Sequence, residues 1–243
     1  MYLLIIFGPV ISVMLVSFFF NLLPRYIFII SIFGSLFMSL ILCTVAVYEV
    51  VYLNSFCLVE LDTWFKLGVL NVKWSFYFDK LSTFMLFLII FISLLVHFFA
   101  LDYLNEDPHL PRFLVLLTLF TSFMELLVTS GNLIQFFFGW EGVGLMSYLL
   151  INFWFTRIQA NKSAMKAMIV NKFGDTGLIL GIVFIFFIFK STKFNVVFAN
   201  AIYYLNTYVH IWGMEFNTLN LICVLLFIGS IGKSAQLGLH TWL

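Results

Sequence analysis

The sequence predicts an all-α fold, a polytopic membrane helix bundle, on three observations. Its 243 residues are 63% hydrophobic and only 9% charged. Mean hydropathy is +1.12. The apolar residues gather in runs long enough to cross a bilayer, each needing about 20 residues. A soluble domain of this length requires far more polar surface.

Seven stretches qualify as spans: roughly 2–22, 27–52, 78–101, 112–130, 132–155, 165–189 and 218–243. Pro24-Arg25 separates the first two. A charged, proline-containing turn, "DYLNEDPHLPR" from Asp102 to Arg112, separates the third from the fourth. "TRIQANKSAMK", residues 156–166, joins the fifth to the sixth. Two connections are long. Residues 53–77 include "GVLNVKW", whose alternation suggests a surface strand or hairpin. Residues 191–216 carry Tyr203, Tyr204, Tyr208 and Trp212, aromatic residues suited to the headgroup level. There is no internal repeat. The organisation expected is helices 1–4 with an external 53–77 hairpin-like loop over 1–130, then a second unit of helices 5–7 from residue 131 to 243.

No Lys or Arg precedes the first apolar run, that run is too long for a signal-peptide core, and no small-residue cleavage site follows. A net charge of +1 leaves no basic face for nucleic acid, so no such partner is expected. Cys43, Cys57 and Cys223 form no CxxC pair and have no His at ligand spacing. They read as buried apolar residues, with no disulfide and no metal site. The 33 Phe residues match the codon bias of an AT-rich genome, as many mitochondrial genomes are. Short-loop cations assign Arg25, Arg112, Arg157, Lys162 and Lys166 to the matrix or cytoplasmic side, and Lys66, Lys73, Lys190 and Lys193 to the other.

The intramembrane charges carry the functional reading, because such residues are costly and tend to mark ion pathways or proton relays. Glu141 lies eight residues beyond Leu133 in the fifth run, Lys233 twelve beyond Leu221 in the seventh and Asp175 ten beyond Met165 in the sixth. At 1.5 Å per residue all three fall near the bilayer middle. Burial disfavours an ammonium and a nearby carboxylate restores it, so a Glu–Lys pair can switch protonation as its spacing changes. Proton carrying is the favoured role for Glu141 and Lys233, with a static ion pair as the alternative. Lys172 and Asp175, at i and i+3, can neutralise one another, and a local pair is as good a reading as a relay. His240 follows Lys233 by seven residues, two turns along the same helical face; it can pass a proton onward or simply pack. Glu125 and His97, nearer their helix ends, are expected in solvated or capping roles. Asp79, Glu49 and Asp102 read as interface charges.

Gly139, Gly142 and Gly144 strip side chains from the helix around Glu141, so that a neighbour can approach closely. In "GSIGKSAQLGLH", residues 229–240, Gly232, Gly238 and the hydroxyls favour a helix broken at Lys233, tolerable where it lines a buried or wet cavity.

Two stretches, "GWEGVGLMSYLLINFWFTRIQANKSAMKAMIVNKFGDTGLILG" and "LLFIGSIGKSAQLGLHTWL", resemble the chain 5 family of mitochondrial NADH–ubiquinone oxidoreductase, the distal antiporter-like subunit of complex I. "NEDPHLPRF", residues 105–113, is also similar. The resemblance runs from Met1 and is most specific over 131–182 and 225–243. It implies that Glu141 in GWEG is the family's fifth-helix glutamate and Lys233 in GKSAQ its lysine at a helix break. Asp175 matches a family aspartate. Lys172 stands where many relatives have arginine, keeping the charge without the forked geometry. It further implies a proton-translocating subunit of a respiratory NADH:ubiquinone reductase in the mitochondrial inner membrane, beside other membrane-arm subunits and lipids such as cardiolipin. The chain has no Gly-rich dinucleotide fingerprint and no cysteine set for clusters. FMN, iron–sulfur clusters and ubiquinone are therefore expected on other subunits. Where the family continues past "HTWL" into a second, inverted half, this chain stops at Leu243. The expectation is a split gene or a fragment, completed by a separate chain. Two other readings stay open: a cation/proton antiporter subunit, and a scaffold that does not pump.

Overall fold

A computed structural model describes residues 1–19, 24–211 and 213–243. The seven expected helices are α1 (Tyr2–Phe18), α2 (Arg25–Val47, continued as a π-helical turn, Tyr48–Tyr52), α3 (Lys80–Tyr103), α4 (Leu110–Val128), α5 (Leu133–Ile151), α6 (Ile158–Phe189) and α8 (Thr218–Lys233). α2 to α6 are long and apolar enough to cross a membrane; α1 and α8 are apolar but shorter. The expected end of the first helix at residue 22 lies outside the described residues, as does Trp212.

Local chemistry sets the helix ends. Pro24, with φ −67°, is the N-cap of α2. Asp79, read from sequence as an interface charge, caps α3. Its carboxylate accepts from Ser82 N–H while the Ser82 hydroxyl accepts from Asp79 N–H. Pro111 sits in the first turn of α4, where a missing N–H costs no bond. α6 starts seven residues before the expected 165. The polar segment "IQANKSA" continues the helix beyond its apolar run, and hydropathy alone does not register that.

Two compact units divide the chain. The first holds 1–59, 76–130 and 138–153. Its core is Ile32, Leu36, Leu94, Leu110 and Leu114, drawn from α2, α3 and α4. Ser12 and Ser35 join α1 to α2 through their hydroxyls at 2.8 Å. The buried end of a β-hairpin closes one end of this unit: Phe76 and Phe78 are fully enclosed, and Tyr77 N–H donates to Thr129 C=O at 2.7 Å. There the Tyr2 ring lies tilted against Phe78, centroids 4.7 Å apart, and its hydroxyl donates to Glu49 at 2.6 Å. Ile30, Phe99 and Tyr103 stand exposed on the outer faces, as a lipid-facing surface requires.

The second unit holds 60–75, 131–137 and 154–243. The hairpin, β1 (Cys57–Leu67) and β2 (Leu70–Phe78), turns at Gly68 with φ +55°, a conformation that suits glycine. Residues 53–77 were expected as a strand or hairpin. Within the second unit Glu60 meets both Lys73, at 2.9 Å, and Lys193, at 3.2 Å, so two cations assigned to one side of the membrane do share a site. Leu133 N–H donates to Thr192 C=O, and Ser75 N–H to Gln135 Oε1, both at 2.9 Å. The 191–216 connection, expected as an aromatic loop, is more regular than that. It forms a short helix α7 (Phe194–Asn200), then β3 (Tyr208–Ile211) and β4 (Met214–Asn217), antiparallel with Tyr208 opposite Asn217. The Asn217 side chain then caps α8 by accepting from Leu219 and Asn220 N–H.

Candidate functional site

Backbone proximity defines the site in the second unit. A Cβ placed on Gly232 of α8 would meet the Gly174 Cα of α6 at 3.0 Å, and the reverse holds equally. The seam continues at Gly177, whose Cβ would sit 2.7 Å from Ile228, at Gly181 against Leu226, and at Gly229 against Leu178. Five glycines thus let two helices touch main chain to main chain. Gly232, expected at a break, packs against α6 in the last turn before α8 ends. Gly174, Gly177 and Gly181 escaped sequence reasoning, although their three- and four-residue spacing marks one helical face.

Asp175 follows Gly174, and Lys233 follows Gly232. The glycine contact is therefore flanked by an acid on α6 and an amine on α8. Asp175 is 4% exposed, with the Lys172 ammonium 3.9 Å away; Lys172 itself is exposed and Lys233 half-buried. In α6 Asp175 is near the midpoint of 32 residues, a helix of about 48 Å.

α8 stops at Lys233 after 16 residues, about 24 Å, less than the roughly 30 Å hydrocarbon core. Past the break Ala235 and Gly238 take positive φ, at 50° and 107°. The Gly232 carbonyl accepts from the Trp242 indole N–H at 3.0 Å as well as from Ala235 N–H at 3.4 Å. His240 lies on a 3-10 turn, His240–Trp242, and is exposed. The expected shared helical face with Lys233 does not exist, because the helix has already ended.

Glu141 belongs to the first unit, half-buried in α5. Two of the glycines around it lie against α4. A Cβ on Gly139 would strike the Leu127 backbone of α4 at 2.9 Å, and one on Gly142 would strike the Phe123 ring. Gly144 is half-buried, its carbonyl accepting from Ser147 Oγ at 2.7 Å.

Two expectations fail in this unit. His97 and Glu125 are fully buried, so neither is solvated nor caps a helix. Distance from a helix end is a poor guide where α3 and α4 pack against each other. Outside the membrane, hydrogen bonds from Lys73 and Lys193 hold the Glu60 carboxyl below its usual range.

Among known proteins, residues 130–243 match the family described as NADH:quinone oxidoreductase/Mrp antiporter, TM. Residues 64–114 match NADH-Ubiquinone oxidoreductase (complex I), chain 5 N-terminus. NADH-ubiquinone oxidoreductase chain 5 of Acanthamoeba castellanii is 50% identical over 245 residues, which cover 100% of this chain and 36% of that protein. The Arabidopsis thaliana chain 5 is 47% identical over 243 residues, with the same coverage. The Dictyostelium discoideum chain 5 is 52% identical over 196 residues, 81% of this chain and 29% of that one. This chain spans about a third of the length of the curated relatives it matches. A chain of the membrane-bound sulfane sulfur reductase, an archaeal respiratory membrane complex, superposes with a TM-score of 0.76 at 16% identity, over 98% of this chain and 46% of that one. That likeness speaks to fold alone. By sequence, the chain belongs to the NADH-ubiquinone oxidoreductase chain 5 family.

Proposed function

We propose that this chain is the N-terminal part of a proton-translocating membrane subunit of respiratory NADH:ubiquinone oxidoreductase, seated in the mitochondrial inner membrane. Residues 131–243 begin the antiporter-like unit, and the remaining length of the relatives, on the same or a second polypeptide, completes it. NADH oxidation and quinone reduction take place on partner subunits, which hold FMN and the iron–sulfur clusters. Cardiolipin and neighbouring membrane-arm subunits cover the apolar outer faces.

The observation that carries this reading is the interrupted α8, which presents Lys233 beside the glycine contact with Asp175's helix. A broken helix frees backbone groups, which a membrane tolerates where they line a cavity that water or protons can enter. In this scheme Lys233 takes up and releases a proton as its electrostatic surroundings change. Asp175 and Lys172 set the local charge, Glu141 is a second carrier and His240 an exit group.

The test is Glu141→Gln in the assembled complex. The expected result is normal assembly with fewer protons moved per electron. An unchanged proportion would leave the chain as a scaffold. One observation favours a second reading, cation/proton exchange: the family matched over 130–243 takes in the Mrp antiporter. Isolation of the chain together with quinone-site and iron–sulfur subunits would reject that alternative.

A further inference from the structure

The best-enclosed acid of the first unit takes no part in that scheme. Glu125 on α4 is 0% exposed, and neither carboxylate oxygen has a hydrogen-bond partner among the described residues. A bare carboxylate in such a place is far costlier than a neutral acid. Around it runs a polar face. Thr118, Thr121, Ser122, Glu125 and Thr129 recur at three- and four-residue spacing along α4, and all are buried.

At the far end of that face is His97 of α3, also 0% exposed. Its Nδ1 lies 2.7 Å from the Ser93 carbonyl, so that nitrogen carries a proton. Its Nε2 lies 3.3 Å from Thr118 Oγ1, whose hydroxyl also reaches the Leu114 carbonyl at 2.5 Å. Thr118 has one proton for two acceptors. If it serves Leu114, the ring satisfies the contact by carrying a second N–H; if it turns to the ring, the ring is neutral. The imidazole is thus bonded in either charge state.

Position sharpens the point. Leu127 of α4 faces Gly139 of α5, and Phe123 faces Gly142, which sets Glu125 and Glu141 at about one level. Glu125 is two residues from both contacts, about 200° around the helix, so it occupies the opposite flank of α4. The titratable groups on that flank are His97 of α3 and the Cys43 thiol of α2, which lies within electrostatic reach of Glu125.

We propose that Glu125 is an intramembrane proton-binding site that trades its proton with His97 along the face of Ser122, Thr121 and Thr118, whose hydroxyls rest on the Thr118, Leu117 and Leu114 carbonyls and turn from them to relay it. In the exchange the Glu125 O–H bond breaks and an Nε2–H bond forms on His97. Acid plus neutral ring becomes carboxylate plus imidazolium, with no net charge change and no co-reactant. The inference does not require Glu141 or Lys233 to carry protons.

The test is infrared difference spectroscopy of the assembled complex in its native membranes, on transfer to deuterium oxide. It reads the carbonyl band of protonated carboxylic acids, whether or not the complex pumps. Wild type is expected to show a band that shifts with deuterium. Glu125→Gln removes that component and Glu141→Gln retains it, while His97→Phe keeps the band but slows its shift by an order of magnitude or more. No loss of band in Glu125→Gln, or exchange as fast in His97→Phe as in wild type, overturns the proposal. Should a variant fail to assemble, wild-type complex treated with a hydrophobic carbodiimide decides the matter. The reagent adds to a protonated carboxyl, whose proton moves to the reagent nitrogen as oxygen bonds its central carbon. An adduct mapped to Glu125 supports the site, and an unmodified Glu125 in wild-type complex that also lacks a deuterium-sensitive carbonyl band overturns it.

Discussion

The two units bury an acid in opposite ways. In the second, Asp175 rests against a seam where glycines bring α6 and α8 into main-chain contact, and a lysine one turn back supplies a counter-charge. In the first, Glu125 is shut inside bulky side chains and hydroxyls with no cation bonded to it among the described residues. One acid has a cation 3.9 Å away; the other has no bonded partner among the described residues. The lesson is that intramembrane charge does not define a single role. What matters is whether the packing around an acid leaves room for a partner or closes on it.

The comparison breaks most visibly if the seam is overfilled. Gly232→Leu puts a side chain where the Gly174 Cα already lies at 3.0 Å. Because backbone cannot step aside, the cost exceeds the roughly 1–3 kcal/mol typical of core overpacking. The expected outcome is loss of assembled complex on native gels. Gly142→Ala in the first unit is milder, because the added Cβ, 2.5 Å from Phe123 Cγ, displaces a side chain that can swing about its Cα–Cβ bond, not backbone. Gly34→Ala, whose Cβ meets nothing within 4 Å among the described residues, is silent. Equal loss in all three would erase the distinction between the units.

Charge is the next lever. Lys172→Met leaves Asp175 with less compensation, whereas Lys172→Arg keeps the cation. Proton-pumping activity is expected to fall severalfold in the first and little in the second. Equal losses would show that the fork or length of the side chain, not its charge, is what counts.

Much of this was legible in the sequence. Run length alone located every spanning helix, and alternation in "GVLNVKW" located the hairpin. The misses share a physical cause: hydropathy reports what a helix touches, not where it stops. It therefore missed the polar first turns of α6, and it extended the seventh helix past Lys233 although the residues favouring a break had been recognised. For Glu125 and His97 sequence depth stood in for exposure. The hydroxyl repeat from Thr118 to Thr129 was the signal that both lie on one enclosed face. Orientation across the membrane rested on a nearly even count of cations. The convergence of Lys73 and Lys193 on Glu60 ties two of them together in a way no count could.

Smaller effects sharpen the edges of each unit. Asp79→Ala removes the carboxylate half of the capping box of α3, leaving the Ser82 hydroxyl on the backbone N–H of residue 79, at a cost of about 1 kcal/mol, readable as a lower Tm of the assembled complex. Glu60→Gln removes the two lysine contacts and costs under about 1 kcal/mol, as solvent screening dictates. Its folded-state pKa is lowered, so the stabilisation is present above the unfolded carboxylate's pKa and fades as pH drops through the folded one. Wild type and Glu60→Gln should therefore differ slightly at neutral pH and converge in acid.

The account rests most heavily on Lys233, the amine at the end of the interrupted helix. The direct measurement is protons moved per NADH oxidised by complex carrying Lys233→Gln, with assembly verified on the same preparation. A proportion below wild type is predicted. A wild-type proportion in a fully assembled complex would contradict it.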